Sequence, residues 1–65
     1  MFKYNIGQKV THVQLGKDQA VFMVLTRTRT EFPSGYNNTY ELRQIMPPSV
    51  AAATFMAGEV ELAPA

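Results

Sequence analysis

The arginines are the residues of this chain best suited to chemistry, and their chemistry is recognition. Arg27, Arg29 and Arg43 make up its basic cluster. A guanidinium presents a planar fork of donors that grips carboxylate or phosphate at two points. Arg27 and Arg29 lie two residues apart in Thr26-Arg27-Thr28-Arg29-Thr30, so a strand sets both on one side. Catalysis has weaker candidates. His12 is a lone histidine, Asp18 the sole aspartate, and there is no cysteine. A nucleophile or base needs a partner to activate and orient it, so His12 reads as a rim residue. Glu59 and Glu61 alternate along the chain. Paired carboxylates do acid–base work only across a pocket, so these two read as solvated edge charges. One histidine is also too few for a typical structural zinc site. The expectation is a non-enzymatic protein with no catalytic residue, no metal and no cofactor.

The arginines need an element to hold them. The run Ala20-Val21-Phe22-Met23-Val24-Leu25 passes directly into the Thr-Arg alternation. β-Branched and aromatic residues favour a pleated strand here, from Gln19 or Ala20 to Thr30. A second strand reads from Thr39 to Met46, stopped by Pro47-Pro48, which have no amide hydrogen for a ladder. The two form one long β-hairpin. Between them, Glu31 to Asn38 reads as a long binding loop, with Phe32 and Tyr36 as anchors.

A loop centred near Gly35 pairs Arg27 with Arg43, Arg29 with Glu41 and Leu25 with Ile45. One face then carries Val21, Met23, Leu25, Arg27, Arg29, Glu41, Arg43 and Ile45. The other carries Phe22, Val24, Thr26, Thr28, Tyr40, Leu42, Gln44 and Met46, and is the core, because charges are expelled from an apolar interior. On this reading Met23 and Leu25 form an apolar patch beside the arginines. A one-residue shift or a bulge breaks the assignment.

The rest of the chain wraps the hairpin. Phe2, Tyr4 and Ile6 alternate with polar residues as a half-buried extended segment. Gly7 permits a turn before a strand over Lys9 to Gln14, and Gly16 marks another turn. Ser49 to Met56 admits a strand or an alanine-rich helix capped by Ser49 and ended at Gly58. Glu59 to Leu62 alternates, with Val60 and Leu62 on one face. The predicted fold is all-β: a small SH3-like barrel of about five strands around one long central hairpin, a single domain over 1–65 with 63–65 as a flexible tail.

Ile6-Gly7-Gln8-Lys9-Val10, the turn at Gly16, Tyr40-Glu41-Leu42-Arg43 and the closing Glu59-Val60-Glu61-Leu62 resemble small bacterial and phage SH3-like barrels. The opening is similar to that of YodC-like proteins and KOW-type domains. Gln8 stands where aspartate is common in them, and Asp18 and Ala20 stand where a KOW loop places glycine. The resemblance therefore implies a fold more than an activity.

Composition narrows the partner. A chain of 65 residues hides only about 60% of its unfolded surface. It has no disulfide to help, so close packing or association must serve. The absence of cysteine fits a cytoplasmic setting, and no run approaches the ~18 apolar residues of a membrane span. Net charge is +1, well short of the basic excess of a nucleic-acid domain. The expected function is protein interaction, as a small bacterial or phage accessory or inhibitor protein. Its predicted surface is Met23, Leu25, Arg27, Arg29, Arg43, Phe32 and Tyr36, and self-association is an option. The alternative is a nucleic-acid or ribonucleoprotein binder using Arg27, Arg29, Arg43, Lys9 and Lys17, with Tyr4 and Tyr36 for stacking.

Overall fold

The computed structural model describes residues 1–15, 20–48 and 54–65. The expected turn at Gly16, with Lys17 and Asp18, lies outside the described residues, as does the 49–53 part of the ambiguous segment. Among the described residues five strands form one antiparallel sheet: β1 (Lys9–His12), β2 (Val21–Phe32), β3 (Gly35–Met46), β4 (Thr54–Gly58) and β5 (Leu62–Pro64). Their order is β4-β3-β2-β1-β5, with a 3-10 turn at Glu59–Glu61 between β4 and β5. The chain is thus an all-β, barrel-like fold built on one long central hairpin. Among the described residues no helix is long and apolar enough to cross a membrane.

The inner face of the curled sheet encloses Val10, Phe22, Val24, Tyr40, Leu42 and Leu62, joined by Tyr4 of the N-terminal arm. Val24, Tyr40 and Leu42, expected in the core, are 1% exposed or less, and so is Val10 of the first strand. Tyr4 and Tyr40 meet edge to face, with centroids 5.5 Å apart, and the Tyr4 hydroxyl donates to the Leu62 carbonyl at 2.9 Å. Gly7, at φ +87°, turns the arm into β1. Its amide donates to the Val24 carbonyl at 2.8 Å.

Three local expectations are corrected. The loop predicted over Glu31 to Asn38 is a two-residue turn at Pro33-Ser34, because both strands stay paired as far as Phe32 and Gly35. Pro33 fixes one turn dihedral, and Gly35 takes φ +150°, a region that glycine enters freely. The tail predicted at 63–65 is mostly strand: Ala63 pairs with Thr11 and Pro64 with Val10. Val60 and Leu62 do not share a face. The Gly58 amide donates to Glu61 Oε1 at 3.3 Å, closing a tight turn that throws Val60 outward, 91% exposed, while Leu62 is buried. The Thr54 to Met56 part of the ambiguous segment is strand.

Two bulges interrupt the central hairpin. Val24 pairs with Leu42 but Thr26 pairs with Glu41, leaving Leu25 as an extra residue on β2. Val21 pairs with Met46 and Phe22 with Gln44, leaving Ile45 extra on β3. Leu42 of β3 lies in the core at 1% exposure. Leu42→Ala is expected to cost ~2–5 kcal/mol through lost burial and a residual cavity, measured as a lowered urea midpoint by circular dichroism.

Candidate functional site

The Leu25 bulge decides where the arginines go. Cross-strand partners share a face, and beyond the bulge Arg27 pairs with the buried Tyr40, Arg29 with Asn38 and Glu31 with Tyr36. Arg27 and Arg29 therefore lie on the inner face, in line with the core. The threonines take the outer face, with Thr26 opposite Glu41 and Thr28 opposite Thr39. Arg43 instead pairs with Met23, so the expected Arg27–Arg43 and Arg29–Glu41 pairs do not form.

On the inner face the arginines meet aromatic rings. The Arg27 guanidinium lies 4.7 Å from the Phe2 ring centroid and that of Arg29 lies 6.0 Å from it. Arg29 also sits 4.0 Å from the Tyr36 ring. Hydrogen bonds fix both heads. Arg27 Nη1 donates to the Tyr4 carbonyl at 3.2 Å and to Asn5 Oδ1 at 3.4 Å. Arg29 Nε donates to Asn38 Oδ1 at 3.3 Å. Both side chains remain exposed. Among the described residues neither has a carboxylate within 4.0 Å.

Glu59 anchors the arm that carries Phe2. Its Oε2 accepts from the Lys3 amide at 3.0 Å, from Asn38 Nδ2 at 3.1 Å and from the Tyr40 hydroxyl. Asn38 Nδ2 also donates to the Met1 carbonyl at 3.0 Å. Burial pushes the Glu59 carboxyl upward, but the donors from Tyr40, Lys3 and Asn38 outweigh it and hold it below the ordinary glutamate range. Burial first, and then Glu59, raise the Tyr40 hydroxyl. A groove of about 300 Å³ lies alongside, between Tyr36–Thr39 and Gly58–Glu61.

His12 is tied to Glu61, with Nε2 and Oε2 3.1 Å apart. Gln14 donates its amide to His12 Nδ1, so in the neutral ring Nε2 carries the hydrogen. The His12 bond first, and then the Gly58 amide, hold the Glu61 carboxyl below the ordinary range. The geometry is that of a bracket between β1 and the 3-10 turn.

The residues predicted to form one surface are divided between two faces. Met23 and Leu25 are half-buried on the outer face, where Met23 pairs with Arg43 and Lys9. Phe32, half exposed, closes the hairpin opposite Gly35. Only Arg27, Arg29 and Tyr36 come together. Sequence reasoning missed Phe2, Asn38 and Glu59 as their supports. The alternation of Phe2 with Tyr4 was the available signal for the arm. No family model, curated protein or solved structure matches the chain.

Two measurements probe this arrangement. Tyr40→Phe removes the hydroxyl between the Tyr4 amide and Glu59, and should cost ~1–3 kcal/mol, because a buried donor loses its acceptor. For Glu59 the folded pKa is depressed. Its stabilisation is therefore complete above the unfolded value, about 4.3, and is lost as pH falls through the folded value. Melting temperatures recorded from neutral pH to pH ~3 should fall less steeply in Glu59→Gln than in the parent. A shallower acid limb should remain, from Glu61.

Proposed function

We propose that the chain is a non-enzymatic protein-interaction module, docking its partner on the inner face of the projecting end of the hairpin. The observation that carries this reading is the arginine pair itself. Two exposed guanidinium groups lie on one strand face, ordered by Phe2, Tyr36 and Asn38, with no carboxylate bound among the described residues. Holding like charges together costs free energy unless an anion relieves it. A protein partner can supply carboxylates, and fixed arginines give orientation and discrimination against wrong partners. Tyr36, 54% exposed, adds rigid aromatic area beside them. The hairpin reaches beyond its neighbours, giving the molecule extents of 40 × 21 × 16 Å. An accessory or inhibitor role of the bacterial or phage kind suits a module of this size.

A second reading rests on the same stacking. An arginine beside an exposed tyrosine is also a platform for a base of single-stranded nucleic acid. Against it, Arg43 and Lys9 lie in one cross-strand row on the outer face, and the net charge is only +1.

The test compares the parent with two double variants, Arg27→Glu/Arg29→Glu on the inner face and Met23→Asp/Arg43→Glu on the outer. Each immobilised protein captures partners from a host lysate treated with nuclease. Capture should be lost in the inner-face variant and kept in the outer-face one, with both shown folded by circular dichroism. Equal capture by the parent and the inner-face variant would move the interface elsewhere. Submicromolar binding to an oligonucleotide at ~150 mM salt would instead establish the nucleic-acid reading, since phosphate contacts alone weaken steeply there.

A further inference from the structure

The central hairpin has an edge that its neighbours leave open. β1 pairs with β2 only at Met23 and Phe22, and bonds from Gly7 and Gln8 extend the contact to Val24. From Thr26 to Phe32, β2 is paired with β3 on one side. On its other side its backbone has no partner among the described residues. A strand directs alternate N–H and C=O groups to each side, so this edge offers a row of unmet donors and acceptors. Such an edge is a template for another strand.

The side chains along it select which strand. Arg27 and Arg29 stand two residues apart, a repeat of about 7 Å along a strand. An added antiparallel strand has the same repeat, so its alternate side chains come opposite both guanidinium groups. Opposite charges at such positions attract and like charges repel. The edge carries two arginines and one glutamate, Glu31. A second copy of the chain brings the same arginine excess, whereas a strand with alternating carboxylates neutralises it. The guanidinium groups are already held on Phe2 and Tyr36, which lowers the ordering cost of binding.

We propose that the open edge of β2, from Thr26 to Phe32, takes an extended acidic segment of a protein partner as an added antiparallel strand, with alternate Asp or Glu side chains seated on Arg27 and Arg29. The inference rests on the protein-interaction reading above and specifies the chemistry of the partner. Main-chain bonds give the affinity in this mode, and alternate side chains give the specificity.

The experiment titrates isotope-labelled protein with a short synthetic peptide of alternating glutamate and valine, followed by amide nuclear magnetic resonance. A second peptide of the same sequence is N-methylated at alternate residues, and a third replaces glutamate with lysine. The first peptide should shift and protect amides between Thr26 and Phe32. N-methylation, the lysine swap and the Arg27→Glu/Arg29→Glu variant should each weaken binding by about tenfold or more. Equal affinity for the methylated peptide overturns strand addition and leaves charge attraction alone. Shifts confined to β4 or β5 overturn the choice of edge. Concentration-dependent dimerisation that protects the same amides assigns the edge to a second copy. Tighter binding of oligothymidylate than of the acidic peptide assigns it to nucleic acid. If no peptide binds while arginine-dependent capture from lysate persists, strand addition is wrong and the protein-interaction reading stands. If both fail, that reading falls as well.

Discussion

One inserted residue governs this molecule. Side chains in a strand alternate with a period of two, so a single extra residue reverses the parity of everything beyond it. Leu25 is that residue in β2. Before it, Phe22 and Val24 face the core; after it, Arg27 and Arg29 take the same side. Without the bulge the inner positions would fall to Thr26 and Thr28. The arginines would then join Met23 on the outer face as an ordinary solvated stripe. With it, they are carried onto the side where the N-terminal arm returns, within reach of Phe2.

The fold was legible because burial follows local alternation. Val10, Val24, Tyr40 and Leu42 are apolar or aromatic residues flanked by polar or outward-facing ones, and each lands in the core. The face of the arginines was not legible. Leu25 and Thr26 both suit a strand, and nothing in their chemistry marks one as surplus; a bulge is settled by pairing with a distant strand. The same limit explains the hairpin tip. Gly35, Asn37 and Asn38 read as loop because such residues are depleted in strands. Asn38 is nevertheless buried in β3, because the Met1 carbonyl, Glu59 and Arg29 all bond its side chain. Tertiary contacts overrode local preference there. In the 3-10 turn Glu61 reaches back to the Gly58 amide, and the expected alternation of Val60 and Leu62 is lost.

The polar hub at Glu59 connects these parts. A chain with no cysteine must fasten its N-terminal arm some other way, and a carboxylate shared by Lys3, Asn38 and Tyr40 does so. Among the described residues no buried side-chain polar atom lacks a partner, as a buried polar network requires. The arm then places Phe2 edge to face with Tyr40, centroids 6.1 Å apart, and under both arginines. Site and scaffold are therefore not separable. The hydroxyl that closes the core on Tyr4 also holds the carboxylate that positions the arm.

That coupling bears on how firmly the arginines are held. A cation over an aromatic ring at an exposed site contributes only ~0.5–1 kcal/mol, too little to fix a long side chain whose rotamer entropy is about 2 kcal/mol. The added bonds to the Tyr4 carbonyl and to Asn38 tip the balance. An isolated two-stranded ribbon is also marginal in water, yet this one is braced along its inner face by Phe2, Asn38 and the arm. Order at the projecting end is thus bought by contacts that still leave Arg27 and Arg29 exposed. Preordered cations beside an open strand edge would lower the ordering cost of the docking proposed above, because the heads are already placed by the fold.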